Sequence, residues 1–192
     1  MLGRRPFPIS STRVITTPSV RGNARRTMKA TKEQTTELFS RALANAQGAG
    51  VKLILLSGDS DEKSEFVESC FASFPFVRVN LGTELSRHLV GSMSFSPGME
   101  TASFMRDIHS GEPLFCTHLE ILFDNGMEVD PIAVLKSAAR CRIVCVDWPG
   151  RYDADANELL FGDEDDVAFR SFPVDSETIV LDESGLTTSE AT

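Results

Sequence analysis

"LILLSGDSDEKSEF", Leu53 to Phe66, decides how the rest of the chain is read. Four apolar residues run into Ser57-Gly58, then an acidic turn, then Lys63-Ser64 at the head of a helical pattern. A short apolar run closed by glycine marks a buried strand. Strand, polar loop, Lys-Ser and helix together have the layout of a phosphate-binding loop. Such loops work because glycines let backbone amides turn inward around the phosphates. Lysine reaches the terminal phosphates, and the hydroxyl that follows meets magnesium. Lys63 and Ser64 stand in those two places, with Gly58, Asp59, Ser60, Asp61 and Glu62 forming the turn.

Two positions depart from the pattern. Ser57 stands where the first glycine belongs, with Gly58 one place late, and Glu62 replaces the glycine before the lysine. Asp59, Asp61 and Glu62 would set negative charge beside a polyphosphate, each at a cost of roughly 1 kcal/mol in a partly shielded site. Lys63 and a helix N-terminus recover only part of that. A polar strand-to-helix loop with Ser60 or Asp61 as its cap fits the same residues.

Strands and helices alternate outward from this stretch. Before it, Leu38, Phe39, Ala42, Leu43 and Ala46 form one apolar stripe of a helix that closes at Gly48 and Gly50. After it, "KSEFVESCFASF" reads as a helix with Phe66, Val67, Cys70, Phe71 and Phe74 on one side, stopped by Pro75. "PFVRVNL" alternates as a second strand. Helices are expected over "TELSRHLVGSM" and "METASFMRDIHS", and "EPLFCTHLEILFD" holds a third strand and its continuation. "DPIAVLKSAAR" is a helix with Asp130 as cap and proline in its first turn. "CRIVCVDWPG" is a fourth strand, and an acidic stretch leads to a last one at "ETIVLDE". The alternation predicts an α/β fold with a mainly parallel sheet of about five strands, whose ligands lie beyond the strands' carboxyl ends.

A nucleotide site needs an acid on a neighbouring strand to hold magnesium. Its expected place falls at or near Thr117, and the acids that follow are Glu120 and Asp124. The candidate metal ligands are therefore Ser64 and Asp124, and the candidate catalytic acids Glu120 and Asp147. Asp147 ends the fourth strand, where it would sense a γ-phosphate, polarise water, or make only a turn hydrogen bond. Trp148 reads as packing the edge of the core.

Composition narrows the rest. The chain has 192 residues, 41% of them apolar, enough for one domain with a sizeable core. No apolar run approaches the roughly 18 residues that span a bilayer, so no membrane association is expected. Four scattered cysteines without a Cys-x-x-Cys pair suit a reducing cytoplasm, and three histidines complete no zinc spacing. Residues 1–27 hold six arginines and no acid, so the remainder is more acidic than the net charge of −9 suggests. Such a body repels phosphate backbones, and no direct nucleic-acid binding is expected. The leader reads as a disordered tail, a transit segment or an upstream start before Met28. Residues 28–183 then form the domain and 184–192 a polar tail.

Several segments in order resemble the BrxF-type small P-loop proteins of bacteriophage-exclusion (BREX) defence systems. They are "LILLSGDSDEKS", "VNLGTELSRHL", "LEILF", the "DP" opening a helix, an Arg, a Trp and a Gly across "RIVCVDWPG", and "FRSFPVDSETIVLDE". The resemblance covers most of Thr31–Glu183 and implies a three-layer P-loop NTPase-like fold. It matches Lys63 and Ser64 to the phosphate and magnesium roles. It finds Glu62 in place of glycine and Thr117 in place of aspartate, so both nucleotide motifs are degenerate. The expected function is an accessory subunit of a prokaryotic anti-phage complex, with other subunits as partners and with ATP and Mg2+ binding weakened or lost. An active ATPase of the same system and a nucleotide-free α/β binding protein are the alternatives.

Overall fold

A computed structural model describes residues 32–58, 63–64, 67–69, 74–92, 96–182 and 185–188. It is α/β and mainly parallel. Helix α1 (Lys32–Gly48) leads into β1 (Leu53–Leu56). Residues 63–64 and 67–69 are helical, and β2 (Val77–Asn80) follows. Next come α2 (Leu81–Gly91), α3 (Pro97–Asp107), β3 (Leu114–Thr117), α4 (Pro131–Ala139) and β4 (Val144–Asp147). The chain then forms three short strands, β5 (Arg151–Asp153), β6 (Glu158–Phe161) and β7 (Arg170–Pro173), before β8 (Thr178–Asp182) and β9 (Gly185–Thr188). The main sheet has the order β2-β3-β4-β1-β8-β9. Its first five strands are parallel and are the five expected; β9 is antiparallel to β8.

Strand alternation builds a core on each face of this sheet. Leu53 and Leu55, Leu114 and Cys116, and Val144 and Val146 point into one cluster with α2, α3 and α4 residues such as Leu85, Met105 and Leu135. Ile54, Leu56, Phe115 and Cys145 point into the other, with Phe39, Ala42, Leu43 and Ala46 of α1 and Val67 of the helical residues after β1. All four β1 side chains are buried because helices cover both faces. At about 25 cal/mol per Å² such central strands contribute more than any edge element. Phe66, Cys70 and Phe71 lie outside the described residues.

Local chemistry sets the helix starts. Asn80 ends β2 and caps α2, its side chain accepting from Thr83 N at 2.9 Å. Asp130 caps α4 by accepting from Ile132 N (2.9 Å) and Ala133 N (3.1 Å), as the "DP" spacing predicts.

Three segments depart from the sequence reading. The third strand stops at Thr117, because His118 turns left-handed (φ 56°) and Leu119–Phe123 continues as a 3-10 helix. The acidic stretch "DANELLFGDEDDVAFR" lies within a three-stranded antiparallel meander over 151–173, order β5-β6-β7. An aromatic cluster holds it: Phe161 stacks on Phe123 (centroids 3.8 Å apart, planes 10° apart), and Phe172 meets Phe123 and Trp148 edge-on. Third, β9 carries the sheet into the segment read as a polar tail. Among the described residues no helix is long and apolar enough to cross a membrane.

Burial also separates the cysteines. It pushes the Cys116 thiol up to about 12, against a smaller downward pull from Arg142, while Cys141 is exposed. The thiolate is the nucleophile, so a thiol held protonated and buried in this way reacts slowly at neutral pH. Iodoacetamide under native conditions is expected to modify Cys141 and spare Cys116 and Cys145, read by peptide mass. Early labelling of Cys116 would mean that the centre of the sheet opens readily.

Candidate functional site

Strand order reverses at β1. The chain leaves β1 for the far edge at β2, returns through β3 to β4 on one side of β1, then reaches β8 on the other. Such a reversal places the ligand crevice of open α/β sheets beyond the carboxyl ends of β1 and β4. Trp148 N donates to Leu56 O (2.9 Å) and Ser57 N to Leu181 O (2.8 Å), so both neighbours grip the end of β1. Gly58 follows with φ of 150°, a backbone setting that L side chains rarely adopt. The late glycine of the motif is thus used by the turn itself.

Lys63 lies in this crevice. Its ammonium is 2.8 Å from Asp147 Oδ1, with the two side chains only 14% and 29% exposed. It also donates a hydrogen bond to the Trp148 carbonyl. The pairing follows from register, since Leu56 and Asp147 are partners at the carboxyl ends of β1 and β4. Asp147 Oδ1 is buried and takes no hydrogen bond. Its contact with Lys63 is ionic rather than directional, and the ammonium is the compensating charge at that oxygen. Ser64 is exposed beside it on the same helical turn.

The other candidates do not join this pair. Glu120 is exposed on the 3-10 helix after β3. Asp124 uses its carboxylate to cap the next turn, accepting from Gly126 N at 2.7 Å. Neither forms an ion pair with Lys63. Thr117, at the place of the expected acid, is buried, with its hydroxyl 3.5 Å from Val79 O and 3.0 Å from His118 Nδ1. Among the described residues no three His, Cys, Asp or Glu side chains gather as a metal site. Asp124 Oδ1 is engaged by the turn, and its second carboxylate oxygen is the one that would face a metal. Asp59, Ser60, Asp61 and Glu62 lie outside the described residues.

What sequence reasoning missed is the role of the turn after β4. Trp148 is fully buried and its indole Nε1 donates to Leu160 O in β6 at 3.0 Å. Ser57 Oγ lies 3.4 Å from Gly150 O. "DWPG" thus joins the candidate lysine, the end of β1 and the meander. A backbone carbonyl as the partner of Lys63 leaves no trace in sequence.

No family model, curated protein or solved structure matches the chain.

Proposed function

We propose that the chain is a P-loop-like α/β accessory subunit of a prokaryotic, BREX-like anti-phage complex. In this reading it is cytoplasmic, its nucleotide site is degenerate, and its work is contact with other subunits. The observation that carries the degenerate site is the engagement of Lys63. The ammonium that would hold a terminal phosphate is bound to a carboxylate and a carbonyl of its own chain. Thr117 where an acid belongs supports the same reading. The resemblance supplies the defence system. Genes for a DNA methyltransferase, a large ATPase and an alkaline-phosphatase-like protein are the neighbours it expects.

Asp147 beside Lys63 favours one rival, an ATPase in which the aspartate polarises water once a nucleotide draws the lysine away. Calorimetry of the full chain with ATP and magnesium separates the two. The wild type is expected to bind no tighter than about 1 mM, and Glu62→Gly to tighten binding about tenfold, the equivalent of ~1.4 kcal/mol. Micromolar binding by the wild type, lost in Lys63→Ala and accompanied by magnesium-dependent phosphate release, would select the ATPase.

A further inference from the structure

The contact that engages Lys63 also reaches the meander through a continuous chain of atoms. Lys63 Nζ holds Asp147 Oδ1 and the Trp148 carbonyl. From the same residue the buried indole holds Leu160 O. Two residues on, Gly150 lies so close to β6 that a Cβ there would fall 1.8 Å from that same carbonyl. The β5–β7 strands share no ladder with the main sheet. The turn at 147–150 and the Phe123, Phe161 and Phe172 rings are therefore central to their attachment. At the other end of the chain of contacts, the Lys63 ammonium is, among the described residues, the charge that offsets a buried Asp147 oxygen. Removing that ammonium leaves the Asp147 oxygen without its counter-charge and the Trp148 carbonyl without its Lys63 donor, so the turn loses two of the contacts that hold it.

We infer that Lys63, Asp147 and Trp148 form a latch between the crevice and the meander. An oligophosphate anion that draws the Lys63 ammonium away releases the 147–150 turn and loosens β5–β7. This rests on the reading of Lys63 as the phosphate ligand of a degenerate loop. Asp147 is then the internal stand-in for the phosphate, and the meander is the surface whose packing reports whether the anion is bound. An accessory subunit built this way changes a partner-facing element on binding, without hydrolysis.

Trp148 is the only tryptophan, so its emission reads the latch directly. Tripolyphosphate titrated into the full chain, against sodium chloride of matched ionic strength, is expected to shift that emission to the red. It is also expected to speed amide exchange in 158–161 about tenfold, as local opening does. Lys63→Met should show the released emission and exchange without any anion, and should not respond to tripolyphosphate. If Lys63→Met does not fold, Lys63→Gln, polar and without the charge, serves the same comparison. Wild-type emission and exchange in the variant would overturn the latch, as would tripolyphosphate that binds by calorimetry while both stay fixed. No binding to wild type would overturn the anion trigger and would mean that the degenerate site has lost its phosphate ligand rather than kept a weak one. That failure is told apart from a failed latch by the variant, whose readouts need no ligand.

Discussion

Replacing Gly150 by alanine is expected to lower stability by about 3 kcal/mol or more, near the upper end of overpacking effects. The added Cβ would lie 1.8 Å from Leu160 O, 2.9 Å from Leu160 C and 3.1 Å from Trp148 Nε1. Two of these atoms are backbone, so no side-chain rotation relieves the clash. Either β6 backs away from the turn, which breaks the Trp148–Leu160 hydrogen bond and opens the aromatic cluster, or β4 shifts, which disturbs β1. A loss of this size in a domain of this length lowers the melting temperature by about 6–12 °C. Trp148 emission should move to the red, because the indole loses its acceptor. Gly91→Ala is the control: at the end of α2 a Cβ meets nothing within 4 Å, and alanine there should change stability by no more than ~1 kcal/mol. Equal stability of the two variants would show that the turn is not packed against β6 as described.

β1, β3 and β4 were legible because each is covered on both faces, while the edge strand β2 was legible from its alternation. A strand covered on both faces is apolar at nearly every position, and "LILL" and "VCV" contrast sharply with the polar loops that bound them. The meander was not legible for the opposite reason. Its strands are short and partly exposed, and "RYD" and "RSFP" carry no sustained alternation. Four aromatic rings from separate segments hold it in place, Phe123, Trp148, Phe161 and Phe172. Their meeting depends on tertiary structure, which periodicity does not contain.

The site divides the same way. Lys63 and Asp147 each stand out from spacing, one after a strand and one ending another. Their contact depends on β4, rather than β3, lying beside β1, and sheet order is not written locally in the sequence. The residues carrying the resemblance in "RIVCVDWPG" also proved informative in an unexpected way. In the structure Trp148 and Gly150 dock the meander, and Arg142 secures a helix end. Segments that suggest a functional kinship therefore include residues whose visible work is to hold the scaffold on which the crevice is built.

Arg142→Met is expected to destabilise the fold by about 3 kcal/mol, in the range for stripping a buried charge from its partners. Arg142 is 5% exposed, and among the described residues no carboxylate pairs with it. Nη2 instead donates to Met105 O (2.7 Å) and Arg106 O (2.6 Å), and Nη1 to Ile108 O and His109 O (2.6 Å). These carbonyls lie at the carboxyl end of α3 and in the turn after it, where helix carbonyls lack intrahelical partners and carry the negative end of the helix dipole. One planar fork thus satisfies four acceptors and takes its charge compensation from backbone alone. Methionine fills a similar volume but strips these donors from the Met105, Arg106 and Ile108 carbonyls, leaving His109 O with the Glu112 amide alone. Lysine keeps the charge yet cannot span the same fork, so Arg142→Lys should fall between methionine and wild type. Urea unfolding checks the order, with wild type most stable, lysine next and methionine least. If Arg142→Met stayed within ~0.5 kcal/mol of wild type, the size of an ordinary surface substitution, the end of α3 would be held by packing rather than by this arginine.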